Sequence, residues 1–98
     1  MRKSRRTRIP NSLKKHRKLV GYKQIEVALL LGLHDTACIS RWEKGLSFPN
    51  TINLIKLSII YRTFPNELYF DLMLQLRHEL LRTDKLTLIT GPHKKRKK

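Results

Sequence analysis

The chain has 98 residues, room for one small domain, and no stretch approaches the roughly 20 consecutive apolar residues of a membrane span. A single cysteine, Cys38, excludes an intrachain disulfide framework and fits a reducing cytosol, and no apolar run follows the basic N-terminus as it would in a secretory signal. The formal net charge is +15, concentrated at the ends: nine Lys/Arg and no acid in 1–20, five Lys/Arg in 94–98, and eight against seven acids between. Such ends attract polyanions, nucleic acid first and anionic lipid second, or serve only as solubility tails.

Residues 1–10 read as a basic arm with too little apolar surface to fold alone. On a duplex its arginines, Arg5 and Arg6 among them, can follow phosphates or enter a narrow minor groove. Asn11 or Ser12 can cap a first helix, Leu13 to Val20, with Leu13, His16 and Val20 inward and Lys14, Lys15 and Lys18 outward. A second helix is predicted from Gln24 to Leu31, with Val27, Ala28 and Leu31 on one face of a 3.6-residue period. Gly32 can end it in the left-handed conformation, and Leu33-His34 makes the turn. Asp35 stands where an N-cap belongs for a third helix, Thr36 to Lys44. Ile39 and Trp42 share its inward face, whereas Thr36, Ala37, Ser40, Arg41 and Lys44 look out. A short helix with a small, polar tip and an Arg one turn later fits the major groove, which is about 12 Å wide. Arg41 is the foremost candidate for base recognition, with Thr36, Ala37 and Ser40 beside it. Lys44, Ser47 and Asn50 suit phosphate, contacts that position without reading sequence.

Phe48 is apolar in an otherwise polar loop and is expected against the core. A fourth helix is predicted over Thr51 to Tyr61, and the stripe Ile52, Ile55, Ile59, with Leu54, Leu57 and Tyr61 beside it, reads as core. A fifth helix, Pro65 to about Arg82, is apolar on more than one side and needs a cover; a second copy of the chain is the expected one. Leu86 to Thr90 can form a short strand before Gly91-Pro92, and 93–98 is a basic tail.

The segments His16-Arg17, Gly21-Tyr22-Lys23-Gln24-Ile25-Glu26-Val27-Ala28, Leu31-Gly32-Leu33, Ile39-Ser40-Arg41-Trp42-Glu43-Lys44-Gly45 and Pro49 stand in one register. Together they resemble the Cro/CI-like (XRE-type) helix-turn-helix family of phage and bacterial repressors, from about Leu13 to Leu68. Three departures stand out. Lys23 replaces the usual Ser/Thr cap, His16 replaces an apolar residue, and the turn is one residue longer, at His34 or Asp35. The resemblance implies an all-α, five-helix, lambda-repressor-like domain over 11–82, between the arm and a C-terminal strand and tail in 83–98. It implies a structural ion pair between Arg17 and Glu43, and a phosphate contact for Gln24 at the positive end of its helix.

Catalysis, metal and cofactor find no support: there is no phosphate-binding glycine loop, His34 and Cys38 alone do not make a zinc site, and the other histidines are scattered. The expectation is a sequence-specific duplex-DNA-binding regulator, a repressor, acting as a homodimer on a pseudo-palindromic operator in bacterial or phage cytoplasm, associated with the nucleoid. Two alternatives share these features: an antitoxin whose fifth helix is covered by a toxin, and an RNA- or ribosome-associated adaptor.

Overall fold

The computed structural model describes residues 8–82, and the regular elements among them are all helices. The elements are α1 (Leu13–Val20), α2 (Gln24–Leu30), α3 (Ala37–Glu43), α4 (Thr51–Ile60), α5 (Pro65–Leu68) and α6 (Phe70–Leu80). The expected strand at 86–90, the basic tail, Arg5 and Arg6 lie outside the described residues.

The all-α class stands, but the expected fifth helix is two. Tyr69 leaves helical conformation at φ −126°, ψ 39°, so a one-turn α5 begun by Pro65 precedes α6. Leu68 and Tyr69, at the break, are both buried. After the break, α6 carries no buried residue.

The core is assembled from one face of each earlier helix. Leu13 comes from α1, Val27 and Ala28 from α2, Ile39 and Trp42 from α3, and Leu57 and Tyr61 from α4 and its end, closed by Leu68 and Tyr69. On α1 the inward position beside Leu13 belongs to Arg17, while His16 and Val20 are half-buried.

The structure corrects the expectation for α4. Leu57 and Tyr61 are buried and Leu54 is partly so, but Ile52, Ile55 and Ile59 are exposed, Ile59 by 70%. Both sets obey helical spacing, since α4 is apolar almost all round, and a domain this small has one core to offer. Buried Ser58, on the inner side, satisfies its hydroxyl by donating to the Ile55 carbonyl at 2.6 Å. Phe48 is less enclosed than expected, 45% exposed, with its ring 4.6 Å from that of Tyr69.

Two consequences can be measured. Leu57→Ala should lower unfolding free energy by about 2–5 kcal/mol, the range for a truncated core leucine. Ile59→Ser should change it by less than about 0.5 kcal/mol in dilute chain, as for an ordinary surface position. Urea titrations of both variants decide between the two faces of α4.

Burial raises the phenols of Tyr61 and Tyr69 well above the ordinary tyrosine range, with the negative charge of Glu43 adding to Tyr61. Above a pH of about 10 the unfolded chain loses these protons while the folded one keeps them, so stability falls as pH rises. The Tyr69 hydroxyl is also buried without a hydrogen-bond partner. Tyr69→Phe should therefore leave neutral-pH stability unchanged or higher and flatten the loss of stability at alkaline pH.

Candidate nucleic-acid interface

The candidate surface is built around α3, and its geometry begins in the turn before it. The Leu33 N–H donates to the Ala28 carbonyl at 2.8 Å, closing α2 through Gly32 at φ +77°, a conformation glycine adopts without cost. Asp35 Oδ1 then accepts the Ala37 N–H at 2.9 Å, which satisfies a free donor and places negative charge at the positive end of α3. The carboxylate expected as the cap therefore acts as one, from the residue before Thr36. Lys23, which has no acceptor to offer, leaves the start of α2 to Glu26, whose carboxylate accepts the Lys23 N–H at 2.7 Å.

Of the residues expected at bases, Ala37 and Arg41 are exposed and Thr36 and Ser40 half-buried. Of those expected at phosphates, Lys44 and Asn50 are exposed and Ser47 is half-buried. Asn50 also caps α4, its Oδ1 accepting the Asn53 N–H at 2.8 Å. Cys38 is exposed on α3.

Beneath α3 lies the ion pair that the resemblance implied. Arg17 Nε donates to Glu43 Oε2 at 2.6 Å and Nη2 to Oε1 at 3.2 Å, a two-pronged contact between side chains only 9% and 5% exposed. Arg17 Nη1 donates to the Tyr22 carbonyl at 2.9 Å. Hydrogen bonding to Glu43 raises the Arg17 pKa against the opposing effect of burial. Gln24, expected at a phosphate, instead donates its amide to Glu43 Oε1 at 2.9 Å. One carboxylate thus ties α1 and the first residue of α2 to the last residue of α3. Gln24 keeps a second amide hydrogen beyond this bond.

Sequence reasoning missed a second joint at the other end of the domain's entry. The Ile9 N–H donates to the Gly45 carbonyl at 2.9 Å, and Arg8 Nη1 donates to the Lys44 carbonyl at 3.0 Å. The Asn11 side-chain amide faces the carbonyls of Ile9, Trp42 and Glu43 at 3.1, 3.2 and 3.4 Å, while its Oδ1 accepts the Leu13 N–H at 3.0 Å and caps α1. Gly45 combines φ +75° with an approach that would set a Cβ 2.5 Å from the Ile9 oxygen. The signals in the sequence were Asn11 at a helix start and Gly45 at a helix end; nothing announced the contact of Asn11 with Trp42, 31 residues away, or of Ile9 with Gly45. Residues 8–10, assigned to the arm, are fastened across the end of α3.

Among the described residues there is no group of three or more His, Cys, Asp or Glu that could hold a metal, and no helix long and apolar enough to cross a membrane. A family model described as "Helix-turn-helix" matches residues 13–67, more than half of the chain. No curated protein and no solved structure matches the chain.

The ion pair is open to a double-mutant cycle. Arg17→Met and Glu43→Met should each cost about 3–5 kcal/mol by stranding a buried charge. The double variant should lose much less than the sum, because neither charge remains. Equal additivity in urea unfolding would show that the two groups do not depend on each other.

Proposed function

Because the chain belongs to the Cro/CI-like, XRE-type helix-turn-helix family, and is thereby a DNA-binding transcription regulator, we propose that it is a repressor that binds a pseudo-palindromic operator as a homodimer. The observation that carries this reading is the outward face of α3, exposed at Ala37, Arg41 and Lys44 and braced from beneath by Arg17 and Glu43. Arg41 is assigned to guanine, where a guanidinium pairs bidentately, with Thr36, Ala37 and Ser40 at neighbouring base edges. Gln24, Lys44, Ser47, Asn50 and the arm's Arg5 and Arg6 are assigned to phosphate. Gln24 serves with the amide hydrogen left beyond its bond to Glu43.

The dimer reading rests on α6. Its exposed side carries an open, apolar groove of about 550 Å³, lined by Tyr69, Leu72, Met73, Leu76 and Leu80 among others. A second copy laid on this face buries it and sets two α3 helices about one DNA turn, roughly 34–36 Å, apart. Binding across a promoter then blocks transcription by position, in the nucleoid-bearing cytoplasm of a bacterium or its phage.

Selection of the purified chain against random duplexes at about 150 mM salt, near physiological ionic strength, should enrich a two-fold symmetric site with half-sites about 10 base pairs apart. Arg41→Ala should relax choice at one position per half-site by about 1–3 kcal/mol. Lys44→Ala should weaken all sequences alike and reduce the salt slope by about one. Sedimentation should report a dimer at micromolar concentration. A monomer that co-purifies with a different chain would favour an antitoxin, and tight binding with no enriched sequence would favour an RNA adaptor.

A further inference from the structure

The joint at the end of α3 holds a cation that the helix-turn-helix pattern does not supply. Arg8 is exposed, and its Nη1 donates to the Lys44 carbonyl at 3.0 Å. The next residue is tied down as well. The Ile9 N–H donates to the Gly45 carbonyl at 2.9 Å, and the Ile9 backbone leaves Gly45 no room for a side chain. Both residues precede the stretch 13–67 that the family model matches, so a role for Arg8 is not inherited with that pattern.

The C-terminal end of a helix is ordinarily a poor place for an anion. Its last carbonyls lack partners and form the negative end of the helix dipole. Here those carbonyls are occupied, Trp42 and Glu43 by the Asn11 amide, Lys44 and Gly45 by Arg8 and Ile9. The acid at this end, Glu43, has a side chain only 5% exposed and forked to Arg17. From Lys44 to Asn50 the sequence holds no acid. The charge facing outward is therefore positive: Arg8 beside Lys44, both exposed.

A guanidinium has five N–H donors and no acceptor, and the bond to Lys44 uses one of them. That bond restrains the plane of the group, while other donors can fork onto two phosphate oxygens in the geometry that suits arginine. A side chain already anchored has less rotamer freedom to lose on binding.

We propose that Arg8 is a phosphate-binding residue of the interface: it grips one backbone phosphate of each half-site beside Lys44, and the joint between Ile9 and Gly45 fixes which phosphate that is. This rests on the operator-binding reading above, and the test separates the two. The operator selected by the full chain is remade with a neutral methylphosphonate at each backbone position in turn. Binding is measured for the full chain, Arg8→Gln, Arg8→Lys and a variant with two glycines inserted between Arg8 and Ile9.

Arg8→Gln should keep the selected site and the wild-type unfolding curve in urea, and bind all duplexes more weakly. Its deficit should shrink about threefold between about 50 and about 200 mM salt, as one lost phosphate contact requires at a slope of about 0.9 per phosphate. One methylphosphonate per half-site should weaken the full chain but not Arg8→Gln. Arg8→Lys should keep the salt slope and part of the affinity. The insertion should also keep the slope, while the single sensitive phosphate gives way to several weaker ones. A deficit independent of salt, or equal methylphosphonate penalties in the full chain and Arg8→Gln, overturns the inference and leaves the operator reading intact. A loss of stability in urea that accounts for the lost affinity assigns Arg8 to the fold and overturns it too. A sensitive phosphate unmoved by the insertion overturns the role of the joint. If the full chain selects no site, both readings fall.

Discussion

The carboxylate of Glu43 is the point on which the rest of the domain depends. Its two oxygens accept three hydrogen bonds, two from Arg17 and one from Gln24, and Arg17 spends a further donor on the Tyr22 carbonyl. Buried charges are costly unless paired and hydrogen-bonded. The arrangement therefore has little latitude: a small rotation of α3 would break several bonds at once. Apolar packing by Ile39 and Trp42 holds α3 in place but tolerates sliding more readily than a forked ion pair does. Directional bonds at Glu43 turn a seven-residue helix, too short to be stable alone, into an element with a defined orientation.

The same demand appears at the C-terminal end of α3, met there by the Asn11 amide, the Arg8 guanidinium and the Ile9 N–H. The last carbonyls of a helix lack intrahelical partners. Here those of Trp42 and Glu43 face the Asn11 amide, and those of Lys44 and Gly45 are met by Arg8 and Ile9. Since Asn11 also caps α1, the end of one helix and the start of another are satisfied by a single side chain. Arg17 and Asn11 belong to α1 and its approach, which together form the cradle in which α3 rests.

How much of this was legible follows from the range of the interactions. The turn from α2 to α3 was readable because its signals are local: an apolar face at Val27, Ala28 and Leu31, Gly32 at the bend, and Asp35 two residues before the N–H it accepts. Arg17 with Glu43 was readable only through likeness to a family, since nothing in their own surroundings announces a pairing 26 residues apart. α4 was misjudged for a different reason. Its sequence offers two helical stripes, Leu54-Leu57-Ser58-Tyr61 and Ile52-Ile55-Ile59, and periodicity ranks the isoleucines at least as high. Tertiary context chose the stripe containing a serine and a tyrosine. The break at Tyr69 was hidden because Leu68 and Tyr69 both suit a continuous helix.

The choice made in α4 has an electrostatic counterpart. From α1 through Lys44 the chain carries Lys14, Lys15, Arg17, Lys18, Lys23, Arg41 and Lys44 against Glu26, Asp35 and Glu43. From α4 to Arg82 it carries Lys56, Arg62, Arg77 and Arg82 against Glu67, Asp71 and Glu79, close to balance, and most of the exposed large apolar side chains belong to this part. Charge that would repel a second copy is thus concentrated in the half that carries α3. The half that bares isoleucine and leucine is nearly neutral, so association there removes apolar surface from water with little charge opposing it. The proposed binding of a polyanion and of a second copy would then fall to different helices.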